Sequence, residues 1–246
     1  MKRARLAWVG ASLAAAAAVS GPSLAQNNGQ STATSTPTPG VISPDMSHRR
    51  TYSGFEQEFD NRRLTNTPSR ANHLYKNATD IAKCMLGRAG EDAPEYLGGQ
   101  LAGDPDYQRL SDALTGRHKR CAQINGEATA IAISGALAEQ LVVADAPALA
   151  DRAPTVNEDE ARSFFGDLSG AVTLENIAGC LAVYSPGLSY KVISSEPGSS
   201  EEESSLSTLY QQTPECRMAA PPQDVPTLYQ RAALATALYE WSHRNS

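Results

Sequence analysis

Between residues 71 and 86 the apolar or small positions fall at Ala71, Leu74, Tyr75, Ala78, Ile81, Ala82, Met85 and Leu86. Steps of three and four place them on one face of a helix, and Gly87 and Gly90 predict its end. The same period returns at Leu174, Ile177, Ala178 and Leu181, after Thr173 as an N-cap and before Pro186 as a stop. Asp104-Pro105 predicts a capped helix with proline at its first position. Ser200 followed by Glu203 predicts a capping box, in which Glu203 reaches back to the amide of the capping residue. NEDEARSFFGDL predicts one more helix, and SGALAEQLV and RAALATALY predict two long ones. No stretch alternates well enough for a strand except 189–194, which a loop explains equally well. The predicted fold class is all-α.

The pattern repeats. IAKCML at 81–86 returns as IAGCLA at 177–182, a shift of 96. The same shift carries Asp104 onto Ser200, Leu110 onto Leu206 and Leu114 onto Tyr210. A shift of 95 carries Cys121 onto Cys216, and one of 97 carries Ile131 onto Leu228 and Leu137 onto Leu234. Such small changes suit indels in connections. The chain is therefore expected to hold two tandem helical modules, at 68–146 and 157–246, joined by a short proline-containing linker. Gly135, Ala138, Ala232 and Ala235 lie on the stripes of the two long helices, so those helices either pack closely on each other or pack each within its own module.

Four cysteines, Cys84, Cys121, Cys180 and Cys216, make up the whole complement. An even number in an exported chain predicts two disulfides. Copying a self-sufficient unit copies its staple, which favours Cys84 with Cys121 and Cys180 with Cys216; bridges between the modules are the alternative. Loops of that size give about 4 kcal/mol each on the chain-entropy estimate, enough to decide whether a small helical core folds.

The N-terminus sets the compartment. MKRAR is basic, 6–20 is apolar and alanine-rich, and Ser23-Leu24-Ala25 has the small residues of a cleavage site, so residues 1–25 are expected to be a signal peptide. The apolar run is shorter than the ~20 residues a membrane span needs. Residues 26–67, rich in Asn, Gln, Ser, Thr and Pro, are expected to form a flexible low-complexity arm outside the core. Without the leader's three basic residues the balance is 18 basic against 27 acidic. A charge of that sign is unsuited to nucleic acid or an anionic bilayer. The basic clusters His48-Arg49-Arg50 and Arg117-His118-Lys119-Arg120 are expected to be solvated surface.

Candidate chemistry is sparse. There is no G-x-S-x-G, H-E-x-x-H, C-x-x-C or phosphate-cradling glycine loop. His118-x-x-Cys121 has a metal-like spacing, but zinc would need more ligands and a reduced Cys121. His73 lies off the apolar stripe. Asp104-x-Asp106 lacks the rest of a calcium loop. Glu201, Glu202 and Glu203 read as a helix start matched to the dipole, and Glu91, Asp92 and Glu95 have no nucleophile or base beside them. The sequon Asn77-Ala78-Thr79 falls inside a helix. No catalytic, cofactor-binding or metal residue is assigned, and no cofactor is expected.

With its leader, cysteine-bearing helix, capped helix, second cysteine and final Ala/Leu helix (SGALAEQLV, RAALATALY), the chain resembles a group of uncharacterised secreted alpha-proteobacterial proteins built from such units. The resemblance implies a periplasmic, disulfide-stapled helical fold and no particular activity. The expectation is an exported, periplasmic or secreted helical-repeat protein without enzymatic activity that binds a protein partner or an envelope component. The alternative is a small-ligand carrier or enzyme with its site in the groove between the modules.

Overall fold

The computed structural model describes residues 41–42, 67–98, 105–125, 128–145, 149–169 and 172–244. They belong to one compact unit, Ser35–Ser246. The expected signal peptide, and all of the expected arm except Val41, Ile42 and Thr67, lie outside the described residues.

Helix α1 (Pro68–Ala89) starts where Thr67 accepts the amide of Arg70, with Pro68 at its first position. Its predicted stripe is buried from Ala71 to Met85, and only Leu86 is half-buried. Gly87 lies inside the helix; Gly90 ends it, at φ 59°. A 3-10 turn (Gly90–Tyr96) follows, then α2 (Pro105–Thr115), α3 (Lys119–Asn125) and α4 (Ala130–Asp145). The second half holds α5 (Glu158–Phe165), α6 (Leu174–Tyr184), α7 (Pro186–Ser194), α8 (Ser200–Gln211), a 3-10 turn (Pro214–Cys216) and α9 (Thr227–His243).

Several expectations need correction. Residues 189–194 are helical, as part of α7: Pro186 stops α6 and then serves as the first residue of the next helix. The cap of α8 is Ser199, whose Oγ accepts the Glu202 amide at 3.1 Å. Glu202, not Glu203, reaches back, taking the Gly198 amide at 2.6 Å. Within the span expected as an arm, β1 (Val41–Ile42) pairs antiparallel with β2 (Ala128–Thr129), Val41 opposite Thr129. The linker is also held down. Ala150 and Asp151 accept the amides of Gly187 and Leu188, and the Ala153 amide donates to Tyr184.

Both disulfides lie inside a half: Cys84 is bonded to Cys121 and Cys180 to Cys216, with Cα separations of 5.6 and 5.7 Å. Cys121 is carried by α3, Cys216 by the 3-10 turn. The bridges thus fasten α1 to α3 and α6 to the segment before α9. No helix among the described residues is long and apolar enough to cross a membrane.

The core centres on α4 and α9. These two helices pack on each other, α1 packs on α4, and α6 packs on α9. Every residue of α4 from Ala130 to Glu139 is buried, so this helix has no solvent face there. At the crossing, a Cβ added to Gly135 would lie 2.4 Å from both Cα and Cβ of Ala232. The close-packed alternative for the long helices is therefore the one present, and the contact needs both small residues. Gly198 makes a second close approach across the halves. It holds φ 76°, and an added Cβ would fall 1.6 Å from Asn72 Nδ2 on α1.

Ala232→Leu is expected to overpack the α4–α9 crossing and lower unfolding free energy by about 1–3 kcal/mol. Urea denaturation followed by circular dichroism measures it, and an unchanged midpoint would contradict the packing described.

Candidate functional site

Three places concentrate polar chemistry among the described residues. The first lies inside the core. Arg231, in the first turns of α9, is 1% exposed. Its Nε donates to Glu139 Oε2 at 2.9 Å; one terminal nitrogen donates to Glu202 Oε1 at 2.9 Å and to the Val192 carbonyl at 3.0 Å. The other donates to the Ile193 carbonyl and, at 2.9 Å, to that of Ser195. A guanidinium has five N–H donors, so all five are used. The three carbonyls belong to the C-terminal end of α7, where a cation is favoured by the helix dipole.

The same cluster reaches α1. Tyr75 Oη donates to Glu139 Oε2 at 2.9 Å, and the Arg231 guanidinium lies 5.4 Å from the Tyr75 ring centre. Burial, with Glu139 beside it, raises the Tyr75 pKa well above its ordinary value and keeps the phenol a donor. Burial opposes the Arg231 charge, but the Glu139 bond and the neighbouring acidic groups outweigh it and raise its pKa. Glu202, expected as part of a solvated acidic helix start, is instead 3% exposed and paired. The cluster is an internal tie whose donors are all taken by protein acceptors.

The second place is His118. The basic cluster around it is exposed at Arg117, Lys119 and Arg120, but His118 itself is 1% exposed, which corrects the expectation of a solvated side chain. Neither ring nitrogen has a hydrogen-bond partner. The ring meets Tyr96 edge-on, centres 5.4 Å apart. Its neighbour at the expected spacing, Cys121, is in the disulfide, and no group of three or more His, Cys, Asp or Glu among the described residues could hold a metal ion. Burial lowers the His118 pKa, and the charges of Arg117 and Arg88 add to the effect.

The third is a surface cleft of about 300 Å³ in the second half. Glu158 and Arg162 of α5, Tyr184 at the end of α6 and Glu215 of the second 3-10 turn form its polar walls. Phe165 and Leu168 supply apolar wall, and Asp167 and Arg217 complete the rim. Tyr184 Oη donates to Glu158 at 2.9 Å; burial, then this bond, pushes the phenol up to about 12. Glu215 takes a two-nitrogen contact from Arg152, which also donates to Ser185 and to the Gln212 carbonyl. That contact holds the Glu215 carboxyl below its usual range. Arg217 follows the bridged Cys216 and is the only non-glycine with positive φ among the described residues, at 58°.

The residues singled out in the sequence are scattered. His73 is exposed on α1, where Thr79 of the sequon donates to the Tyr75 carbonyl at 3.0 Å. His243 stacks on Tyr239 and pairs with Asp145 at 3.2 Å. Asp92 faces Arg117 at 3.6 Å, and Asp106 pairs with Arg109 one turn on. His48 and Asp104 lie outside the described residues. The contact between α4 and α9, where a groove was one expectation, is filled by Gly135, Ala232 and their apolar neighbours.

No family model, no curated protein and no solved structure matches the chain.

Two outcomes test this chemistry. Arg231→Met would leave Glu139 and Glu202 buried without their cation, and is expected to cost about 3–5 kcal/mol of unfolding free energy by urea titration. His118 has a folded-state pKa below its ordinary value of 6.5, so the unfolded chain takes up the proton first. Stability is then full above that value and falls as pH drops through it toward the lower folded pKa. His118→Phe, which keeps the contact with Tyr96, is expected to flatten this fall in urea midpoints measured between pH 8 and pH 5.

Proposed function

We propose that the chain is exported by its N-terminal leader and works in the periplasm or outside the cell as a non-enzymatic binding protein for a protein partner or an envelope component. The observation that carries this reading is that all four cysteines are joined in two disulfides and none is free. Disulfides of that kind persist in oxidising compartments and are rare in reducing ones. A binding role suits a core whose charged side chains are spent on one another, with Arg231 fully used by Glu139, Glu202 and backbone.

The two halves are read as copies of one ancestral unit. In each, a cysteine-bearing helix packs on a long Ala/Leu helix, α1 on α4 and α6 on α9. In each, the bridge spans nearly the same length of chain, 37 and 36 positions. Fusing two copies through their long helices leaves the outer surfaces and the N-terminal arm for partners.

Protein recovered from the producing cell is expected in the envelope or medium fraction, without residues 1–25 and without thiols titratable after denaturation in the absence of reductant. Affinity capture after cross-linking in intact cells is expected to enrich a partner with the mature chain, and less of it when 26–67 are removed. Free thiols, cytosolic recovery, or capture of monomer alone would overturn the proposal.

A further inference from the structure

The cleft of the second half has an uneven allocation of charge. Its carboxylates already have partners: Glu158 the Tyr184 hydroxyl, Glu215 the Arg152 guanidinium, and Asp167 the amide and hydroxyl of Ser169. Its two rim arginines do not. Among the described residues, neither Arg162 nor Arg217 has a side-chain hydrogen bond or ion pair, although both border the same cleft. Ser169's hydrogen bonds lower the Asp167 pKa first, and the charges of Arg217 and Arg162 lower it further.

The rim is held in place by strong local constraints. Arg162 sits in the last turn of α5, where its carbonyl takes the Gly166 amide at 2.9 Å. Arg217 is set by the Cys180–Cys216 bridge immediately before it and by its own amide, which donates to the Pro214 carbonyl at 3.0 Å. A β-carbon-bearing residue in the left-handed region costs energy that glycine would avoid, and such strain concentrates where a side chain has a task. Here that side chain is an arginine turned to the border of a cleft.

We propose that this cleft binds a small organic monocarboxylate with an aromatic or acyl body, its carboxylate held between Arg162 and Arg217 and its apolar part against Phe165, Tyr184 and Leu168. Guanidinium and carboxylate are matched for paired, charge-assisted hydrogen bonds. The volume, about 300 Å³, is at the small end of ligand sites. Three carboxylates line the cleft, so a dianion such as phosphate meets more repulsion than a single negative charge does. The site lies wholly within the second half and does not rest on the partner-binding reading above.

The test is calorimetric titration of the full mature chain at pH 7 with phenylacetate, with phenylacetamide as its uncharged counterpart, and with inorganic phosphate. Saturable binding of phenylacetate is expected, with no binding of the amide and weaker binding of phosphate. Arg162→Gln and Arg217→Gly should each weaken phenylacetate by about tenfold or more, the loss of a charge-assisted pair. Arg217→Gly should do so without lowering Tm, because glycine suits the left-handed backbone; this separates loss of binding from loss of folding. Asp167→Asn, which removes a competing carboxylate, should tighten binding. Absence of saturable phenylacetate binding, equal binding of the amide, tighter binding of phosphate, or an unchanged affinity in either arginine variant overturns the proposal.

Discussion

A buried guanidinium has to satisfy five donors at once, and that requirement organises this fold. Arg231 meets it only if α4 presents Glu139, α8 presents Glu202 and α7 ends with three free carbonyls, all converging on one point of α9. Taking these charges out of water is expensive, and a well-packed apolar replacement of the whole cluster could equal it in stability. What the cluster supplies is register. An apolar contact tolerates a slide of one helix along another, whereas a one-turn slip of α9 would strand a cation and two carboxylates in a dry interior. The Gly135–Ala232 approach works in the same direction, since only that pairing lets the two backbones meet.

Covalent and noncovalent constraints divide the work. The disulfides act locally, each closing a loop of similar length within its own half. The halves are joined by noncovalent contacts, among them the α4–α9 crossing, the Glu139–Arg231 pair, His243 with Asp145, and Gly198 seated against Asn72. The linker adds backbone bonds from Ala150 and Asp151 to the start of α7, with Lys191 pairing to Asp151 at 2.8 Å. The result is one compact unit rather than two bodies on a tether.

Much of the helical framework is legible in the sequence because burial follows period. The stripe from Ala71 to Met85, the Thr173 N-cap and the helix in NEDEARSFFGDL are local signals with local outcomes. What escapes is whatever depends on a partner distant in sequence. Residues 189–194 lack a clear period because α7 packs on both α8 and α9, so apolar positions appear on more than one face. Glu202 looks like any acidic first-turn residue until α9 brings a cation to it. A clue was present: RAALATALY and SGALAEQLV each carry a single charge in an otherwise uncharged segment, of opposite sign. The cleft had no such clue. Arg162 and Arg217 are far apart in sequence, and the backbone angle that sets Arg217 follows from the bridge beside it.

Because neither sulfur bridge crosses from one half to the other, the polypeptide could be opened between Asp145 and Leu149 without leaving the pieces covalently joined. Each piece would retain its own cross-link, and the first would carry Glu139 and Tyr75 with no cation opposite them. The second would hold Arg231 already bonded to Glu202 and the α7 carbonyls, but short of one acceptor. Two such fragments are complementary in charge as well as shape, so the gene can in principle be divided at that point and the native molecule rebuilt by reassociation.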